Sequence, residues 1–366
     1  MIKFLIQQGA GANFFIRSAW VNALSAMGHQ VVYWNDQEKS ALDIFYEFRP
    51  DVFIGSTWQL NSALVKAIIK YPQIKVLLCA NNWSDNDEQV KALYPIEFAS
   101  DNEKNYVRQL KQAVGKPDFV LCQYHDKYAQ ETHKLWKTLD CELFGMLLSA
   151  DITEYQLTTP DKKAASDVVF VGGYWPYKAK QIAPYLFPLA RVDINLNMKV
   201  FGFGAWPIPN FLGNISSQTA SLMYSSAKVC PNIFEPHSLD LGYDVNQRTY
   251  QVAAAGGFQI CQDVKSVKED VFPNGEIVFA NDPEDFISKC LLYIQSPELR
   301  LPYIKNSIDT VYRYHTNFHR VANILEKIGE NAEADKALNI AKTTYDQVVE
   351  TVNSDSFDQG YFGLFK

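Results

Sequence analysis

The sequence predicts an α/β protein of two domains in which short parallel strands alternate with helices. Short apolar runs recur along both halves of the 366-residue chain, as expected for strands that are buried on both faces. Segments with helical periodicity separate these runs, and a strand–helix–strand order favours a parallel sheet with right-handed crossovers. A polar stretch with a proline, residues 158–163, lies between the two halves and is typical of a linker.

The first half alternates regularly. Its predicted strands cover residues 3–7, 30–34, 51–55, 74–80 and 118–122. Its predicted helices cover residues 14–27, 42–48, 61–70 and 102–114. Arg49-Pro50 ends the second of these helices, because the residue before a proline is disfavoured in helical conformation.

The second half repeats the pattern. Its predicted strands cover residues 167–171, 199–201, 228–233, 258–261 and 276–280. Its predicted helices cover residues 177–189, with a break near Pro184, and residues 218–225, 248–255, 283–294 and most of 297–352. We therefore expect one domain over residues 1–157, a second over 158–340, and a helical tail over 341–366 that returns to the first domain.

The composition excludes several classes of protein. A net charge of −7 argues against a nucleic-acid partner, which would favour a basic face. The six cysteines form no CxxC pair and are expected to be buried, reduced thiols. The N-terminal apolar run is too short for a signal peptide, and no run is long enough to span a membrane. These features predict a cytoplasmic protein without a transmembrane segment; they leave its oligomeric state open.

The segment 244–263 is the most informative part of the chain. Asn246, Arg248 and Gln251 lie at the start of a short predicted helix, and Gly256-Gly257 ends it. An apolar strand follows. A helix N-terminus that carries an arginine and amide side chains beside a sheet is typical of an anion site, and we expect a nucleotide diphosphate there.

This segment resembles the group 1 glycosyltransferases of the GT-B fold, in particular their spore-maturation-protein-like (CgeB-type) branch. In that branch a segment N-x-R-x-(F/Y)-E-x-x-A-x-G-G lines the nucleotide-sugar site. The matching residues are Asn246, Arg248, Tyr250, Ala254, Gly256 and Gly257. Gln251 departs from the pattern, since the family has an acid there that contacts the ribose; an amide can still hydrogen-bond a hydroxyl. The resemblance covers residues 167–325 and implies two Rossmann-like parallel-sheet domains that face one another across a cleft.

The resemblance also implies a set of residues that contact the donor. The loop that begins at Gly172-Gly173 would lie at the donor diphosphate, with Lys178 adding positive charge. A plain glycine turn followed by a surface lysine is the alternative for that loop. The full set of candidates is Gly172, Gly173, Lys178, Gly202, Asn232, Asn246, Arg248, Thr249, Tyr250 and Gln251.

Glu235 is the candidate catalytic acid near the sugar. Retaining members of the wider group carry two acids spaced E-x7-E, but here Gln251 lies sixteen positions after Glu235. An extra segment, 239–245, accounts for the difference and contains Asp244, a candidate substrate contact. An inverting enzyme would need a general base, for which Asp85, Asp87 and His125 are candidates; a retaining enzyme would not, because the departing phosphate can accept the proton.

The turn at residues 9–13 follows the first strand. Its glycines would allow substrate to approach the backbone, which makes Gly11 and Asn13 candidate substrate contacts. A dinucleotide site and a plain tight turn are the alternatives, but Phe14 stands where a dinucleotide fingerprint has its third glycine. No metal site is expected: His315 and His319 lack a third ligand, and Asp85-Asn86-Asp87 lies far from the donor segment in the sequence.

These observations predict a metal-independent glycosyltransferase. It would move a sugar from a nucleotide-diphospho-sugar, which is a substrate and not a cofactor, to a hydroxyl of a glycan or similar acceptor. One alternative is a nucleotide-sugar 2-epimerase of the same fold. Another is a nucleotide-sugar-binding protein that has lost catalysis, which Gln251 keeps open.

Overall fold

A computed structural model describes residues 1–9, 11–80, 101–174 and 176–365. The chain divides into two compact units. The first unit comprises Met1–Leu148 and Arg320–Ala337, and the second comprises Ser149–His319 and Leu338–Lys366.

The first unit contains a parallel sheet. Its described strands are β1 (Lys3–Gln7), β2 (Gln30–Trp34), β3 (Val52–Ser56), β4 (Lys75–Cys79), β5 (Phe119–Cys122) and β6 (Glu142–Gly145). Their order is β2-β1-β3-β4-β5-β6, and each described pair is parallel. The described helices are α1 (Ala12–Ala26), α2 (Ala41–Phe48), α3 (Ser62–Lys70), α4 (Asp101–Val114), α5 (Asp126–Thr132) and α6 (Lys134–Thr138).

The second unit contains another parallel sheet. Its described strands are β7 (Ser166–Val171), β8 (Met198–Phe201), β9 (Ala227–Asn232), β10 (Gln259–Gln262) and β11 (Val278–Ala280). Their order is β11-β10-β9-β7-β8. The described helices up to the end of α12 are α7 (Pro176–Leu186), α8 (Ser217–Ser225), α9 (Pro236–Leu241), α10 (Arg248–Ala255), α11 (Pro283–Gln295) and α12 (Pro297–Tyr314).

The rest of the chain is helical. It forms α13 (Asn317–Lys327), α14 (Asn331–Val352) and α15 (Asp355–Phe365). The first two of these helices contribute residues to both units, and α15 belongs to the second unit. No helix in the described ranges is long and apolar enough to cross a membrane.

The predicted fold class, two Rossmann-like parallel-sheet domains, is confirmed. Strand β3 is buried along its whole length, as expected for a strand covered on both faces. Arg49, in left-handed conformation just before Pro50, caps the C-terminus of α2, and Gly256, with φ 86°, caps the C-terminus of α10. The expected break near Pro184 is wrong, because α7 continues past it to Leu186. All six cysteines are buried and free.

Candidate functional site

The side chain of Arg248 links two strand ends in the second unit. Its Nε donates to the Val171 carbonyl, the last residue of β7, at 2.9 Å, and its Nη1 donates to the Ile233 carbonyl, just after β9, at 3.1 Å. The guanidinium also lies 4.3 Å from the centre of the Phe170 ring. Burial lowers the pKa of Arg248, while Tyr224 and Glu235 oppose that shift. A positive charge is therefore fixed at the carboxyl ends of β7 and β9, where open α/β sheets bind ligands.

Two glycines allow the backbone to pack around this guanidinium. A Cβ at Gly172 would lie 2.5 Å from Nη2 of Arg248. Gly202 has φ 132°, and a Cβ there would lie 2.2 Å from the carbonyl oxygen of Gly172. The Gly172 carbonyl also accepts a hydrogen bond of 3.0 Å from Nε1 of Trp206. The loop at Gly172 is therefore held by Arg248 on one side and by Trp206 on the other. Both positions require glycine for steric reasons.

Lys178 and Glu235 form an ion pair. The Nζ of Lys178 lies 3.2 Å from Oε1 of Glu235. Burial lowers the pKa of Lys178 from its ordinary value of 10.5, the Glu235 carboxylate opposes this shift, and Arg248 adds to it. The side chain of Glu235 is 25% exposed against 12% for Lys178, so the carboxylate is the more accessible member of the pair.

Behind Glu235 lies a histidine–aspartate pair. The Nε2 of His237 lies 3.1 Å from Oδ2 of Asp244, and its Nδ1 lies 3.8 Å from Oε2 of Glu235. The Ser238 hydroxyl donates to the same Asp244 oxygen at 2.6 Å. Burial raises the pKa of Asp244, but the interactions with His237 and the hydrogen bond from Ser238 outweigh burial, and the pKa of Asp244 is lowered from its ordinary value of 3.8. Asp244 is thus an ionised, buried partner of His237.

Several predicted donor contacts hydrogen-bond one another. Asn232 donates from Nδ2 to Oγ1 of Thr249 at 2.9 Å and to Oε1 of Gln259 at 3.0 Å. Asn246 donates to Oδ1 of Asn232 at 3.1 Å and accepts from the backbone N–H of Thr249 at 3.0 Å. Asn232 and Thr249 have no exposed surface. These amides fix the start of α10 against β9 and β10, and Asn246, which is half-buried, is the member nearest to solvent.

The other predicted donor residues differ in accessibility. Tyr250 is fully buried, with its ring 5.5 Å from the ring of His315. Gln251 is half-buried, as is Gly173. Trp206, which is not one of the predicted donor residues, is buried against Phe170, with ring centres 5.4 Å apart. Gln251 and Gly173 therefore have surface available to a ligand, as do the other half-buried candidates Gly172, Lys178, Gly202 and Asn246.

The candidates in the first half of the chain lie in the first unit. Gly11 precedes α1 with φ 57°, and Asn13 in the first turn has a buried Oδ1 that meets no hydrogen-bond partner among the described residues. His125 caps α5, where its Nδ1 accepts from the backbone N–H of Lys127 at 3.4 Å. That contact gives His125 a structural role. Asp85 and Asp87, the other candidate bases, lie outside the described residues.

Reasoning from the sequence missed His237 and Ser238. The signal was present, since His237 follows Glu235 by two positions and precedes Asp244 by seven. In the structure α9 and Gly242, with φ 73°, turn the chain so that Asp244 returns to His237. Among the described residues, no group of three or more His, Cys, Asp or Glu side chains could hold a metal ion.

Comparisons with known proteins place this geometry in context. A family model described as glycosyl transferase-like matches residues 183–326, which include Glu235, His237, Asp244 and Arg248. No curated protein matches the sequence. Solved structures match nearly the whole chain.

One is a mutant of T4 phage BGT in complex with UDP-glucose, 14% identical, with a TM-score of 0.53, covering 94% of this chain and 100% of that chain. Another is sucrose-phosphate synthase from Thermosynechococcus elongatus, 12% identical, with a TM-score of 0.57, covering 92% and 100%. A third is an alpha-glucosyltransferase in complex with UDP and a 13-mer DNA containing an HMU base, 10% identical, with a TM-score of 0.61, covering 90% and 99%.

The fold is GT-B. At identities this low the likeness establishes the fold alone, and the activity must be argued from the site. The GT-B assignment agrees with the two parallel sheets described above. No comparison tests the narrower resemblance to the spore-maturation-protein-like branch, which stays a prediction.

Proposed function

We propose that this protein transfers a glycosyl group from a nucleotide-diphospho-sugar to a hydroxyl acceptor. The observation that carries the proposal is the placement of two cations, Lys178 and Arg248, with the Glu235 carboxylate at the carboxyl ends of β7 and β9. These residues belong to the unit in which the glycosyl transferase-like family model matches. UDP-sugars are the first donors to test, because structural relatives are solved with UDP-glucose or UDP.

The chemistry requires stabilisation of a leaving group. The bond between the anomeric carbon and the diphosphate oxygen breaks, and its electron pair leaves with the diphosphate. The acceptor oxygen forms the new bond, and its proton passes to a base or to the departing phosphate. Negative charge therefore develops on the diphosphate, where a buried lysine and the field of a buried arginine stabilise it most.

The two cations have different parts in this scheme. Lys178 carries a compact charge that can leave Glu235 for a phosphate oxygen. Arg248 has Nε and Nη1 committed to backbone carbonyls, so it contributes a fixed positive field and holds the glycine loop in place. With this charge supplied by side chains, we propose that transfer does not depend on a metal ion.

We do not restrict the acceptor to one class of hydroxyl compound. One structural relative is an alpha-glucosyltransferase solved with DNA, so the relatives give no support to the exclusion of nucleic acids that the net charge suggested. Glycans and other hydroxyl compounds remain the first acceptors to test, because the acidic chain has a net charge of −7. The Gly11 and Asn13 turn of the first unit is the proposed place to look for acceptor contacts.

A thermal-shift screen tests the proposal. The purified protein is melted with UDP, GDP, dTDP, ADP and CMP, each with Mg²⁺ or with EDTA. A rise in melting temperature with one diphosphate, unchanged by EDTA, is expected because a ligand that binds only the folded state stabilises it. The sugar conjugates of that nucleotide are then assayed for release of the diphosphate with and without glycan acceptors. Binding without release would favour the binding protein that has lost catalysis, and no shift with any nucleotide would overturn the proposal.

A further inference from the structure

If a ligand draws Lys178 away from Glu235, another group must hold the Glu235 carboxylate in place. Its two carboxylate oxygens face different basic side chains: Oε1 lies 3.2 Å from Nζ of Lys178, and Oε2 lies 3.8 Å from Nδ1 of His237. Glu235 stands at the N-cap position of α9 but makes no capping hydrogen bond. Its orientation therefore depends on its charged neighbours.

The extra segment that separates this chain from the E-x7-E spacing has a structural use. Helix α9 spans six residues, and Gly242 ends it in left-handed conformation, donating to the Ser238 carbonyl at 3.0 Å. The Gly242 carbonyl in turn accepts from the backbone N–H of Ser266 at 2.7 Å, which anchors the turn. The chain thereby brings Asp244 back under His237.

Asp244 determines how the imidazole of His237 is presented. Because Asp244 is ionised and accepts from Ser238, the Nε2 position 3.1 Å away must carry a proton. The hydrogen bond from Nε2 to Asp244 orients the imidazole ring so that Nδ1 faces Glu235. A proton on Nδ1 gives an attractive charge pair with the Glu235 carboxylate, whereas a lone pair there would be repelled by it.

We propose that His237, held by Asp244, is a positioning residue that keeps the Glu235 carboxylate in place when Lys178 turns to a donor diphosphate. This inference rests on the proposed function. Lys178 and His237 flank the two carboxylate oxygens of Glu235, so the loss of the lysine leaves Oε2 facing the imidazole, which attracts the carboxylate when Nδ1 carries a proton. His237 is 4% exposed and would act through Glu235, without touching the sugar.

A double-mutant cycle distinguishes this role from a merely structural one. The variants are Glu235→Gln, His237→Gln and the two combined, assayed for release of UDP from UDP-glucose. His237→Gln is expected to lower kcat by about tenfold or more and to leave KM within about twofold, because the lost contact serves the reaction and not donor binding. In the Glu235→Gln background the second change should have little further effect. Losses that multiply would overturn the inference.

Two controls address folding. His133→Gln removes another buried histidine, which lies in the first unit with its Nδ1 2.7 Å from Oγ1 of Thr132, and it reports the cost of losing a buried imidazole away from Glu235. Melting temperatures of all variants separate lost activity from unfolding. Asp244→Asn retains the shape of the side chain but removes its charge, and it should reproduce most of the His237→Gln loss in kcat.

A measurement independent of activity completes the test. The same four proteins are unfolded by denaturant, and their unfolding free energies form a second double-mutant cycle. Because Glu235 and His237 lie side by side, His237→Gln should cost less stability in the Glu235→Gln background than in wild type. Additive losses of stability overturn this inference, whereas absence of turnover in wild type overturns the proposed function alone.

Discussion

Gly172 leaves the space that the guanidinium of Arg248 occupies. A Cβ at position 172 would lie 2.5 Å from Nη2 of Arg248 and 3.0 Å from Cε1 of the Phe170 ring. The same guanidinium holds the Val171 and Ile233 carbonyls, so the glycine loop and the arginine depend on each other. A side chain at 172 must displace the arginine or the loop.

Gly172→Ala is therefore expected to destabilise the second unit. The inserted methyl group overpacks the contact with the buried Arg248 and Phe170 side chains, which costs about 1–3 kcal/mol of unfolding free energy. Gly173→Ala is the matched control, because a Cβ there would meet its nearest neighbour, the Phe203 carbonyl oxygen, only at 3.7 Å. Chemical denaturation of the two variants checks the prediction. Equal stability of both would contradict the steric argument.

Arg248→Lys should weaken nucleotide diphosphate binding even though it keeps the charge. A lysine cannot donate to the Val171 and Ile233 carbonyls together, and its ammonium is a compact charge that cannot reproduce the planar guanidinium over Phe170. We expect the UDP dissociation constant to rise by about tenfold, equivalent to ~1.4 kcal/mol. Isothermal titration calorimetry measures it. Arg191→Lys, at an exposed ion pair with Asp193, is the control.

Lys178 and Glu235 should respond in opposite directions. Lys178→Met removes the cation proposed to meet the diphosphate, and UDP binding should weaken by about tenfold. Glu235→Gln removes the carboxylate that competes for Lys178 at 3.2 Å, and UDP should bind as tightly as to wild type or more tightly while turnover of UDP-glucose falls. Calorimetry and a UDP-release assay measure the two effects. Weaker UDP binding in Glu235→Gln would show that the ion pair does not compete with the ligand.

The sequence predicted the elements of this fold better than the contacts of the site. Strand β3 was predictable because a run buried on both faces is apolar without interruption. Strand β6, Glu142–Gly145, was missed because it begins with an exposed glutamate and ends with a glycine, which leaves only Leu143 and Phe144 as a buried apolar signal. Asn232 and Asn246 were expected at a ligand, but whether one amide bonds to another fourteen positions away depends on tertiary packing. The same reason hid His237, whose partner Asp244 is placed by a left-handed glycine.

A buried histidine should make stability depend on pH in the neutral range. Burial lowers the pKa of His29 from its ordinary value of 6.5, and the nearby Glu333 carboxylate, 3.5 Å from Nε2, opposes the shift without reversing it. The Nδ1 atom accepts from the backbone N–H of Ile2 at 3.3 Å, which requires a lone pair on that nitrogen. The folded state therefore favours the neutral ring.

The sign of the effect follows from linkage. Because the folded pKa lies below the unfolded value, the stabilisation is complete above pH 6.5 and declines as the pH falls from 6.5 toward the folded pKa, where the unfolded state binds the extra proton. The melting temperature should fall between pH 7 and pH 5, and His29→Gln, which does not titrate, should fall less. Melting curves of wild type and His29→Gln between pH 7 and pH 5 test this prediction. Parallel curves would show that His29 contributes nothing to the pH dependence.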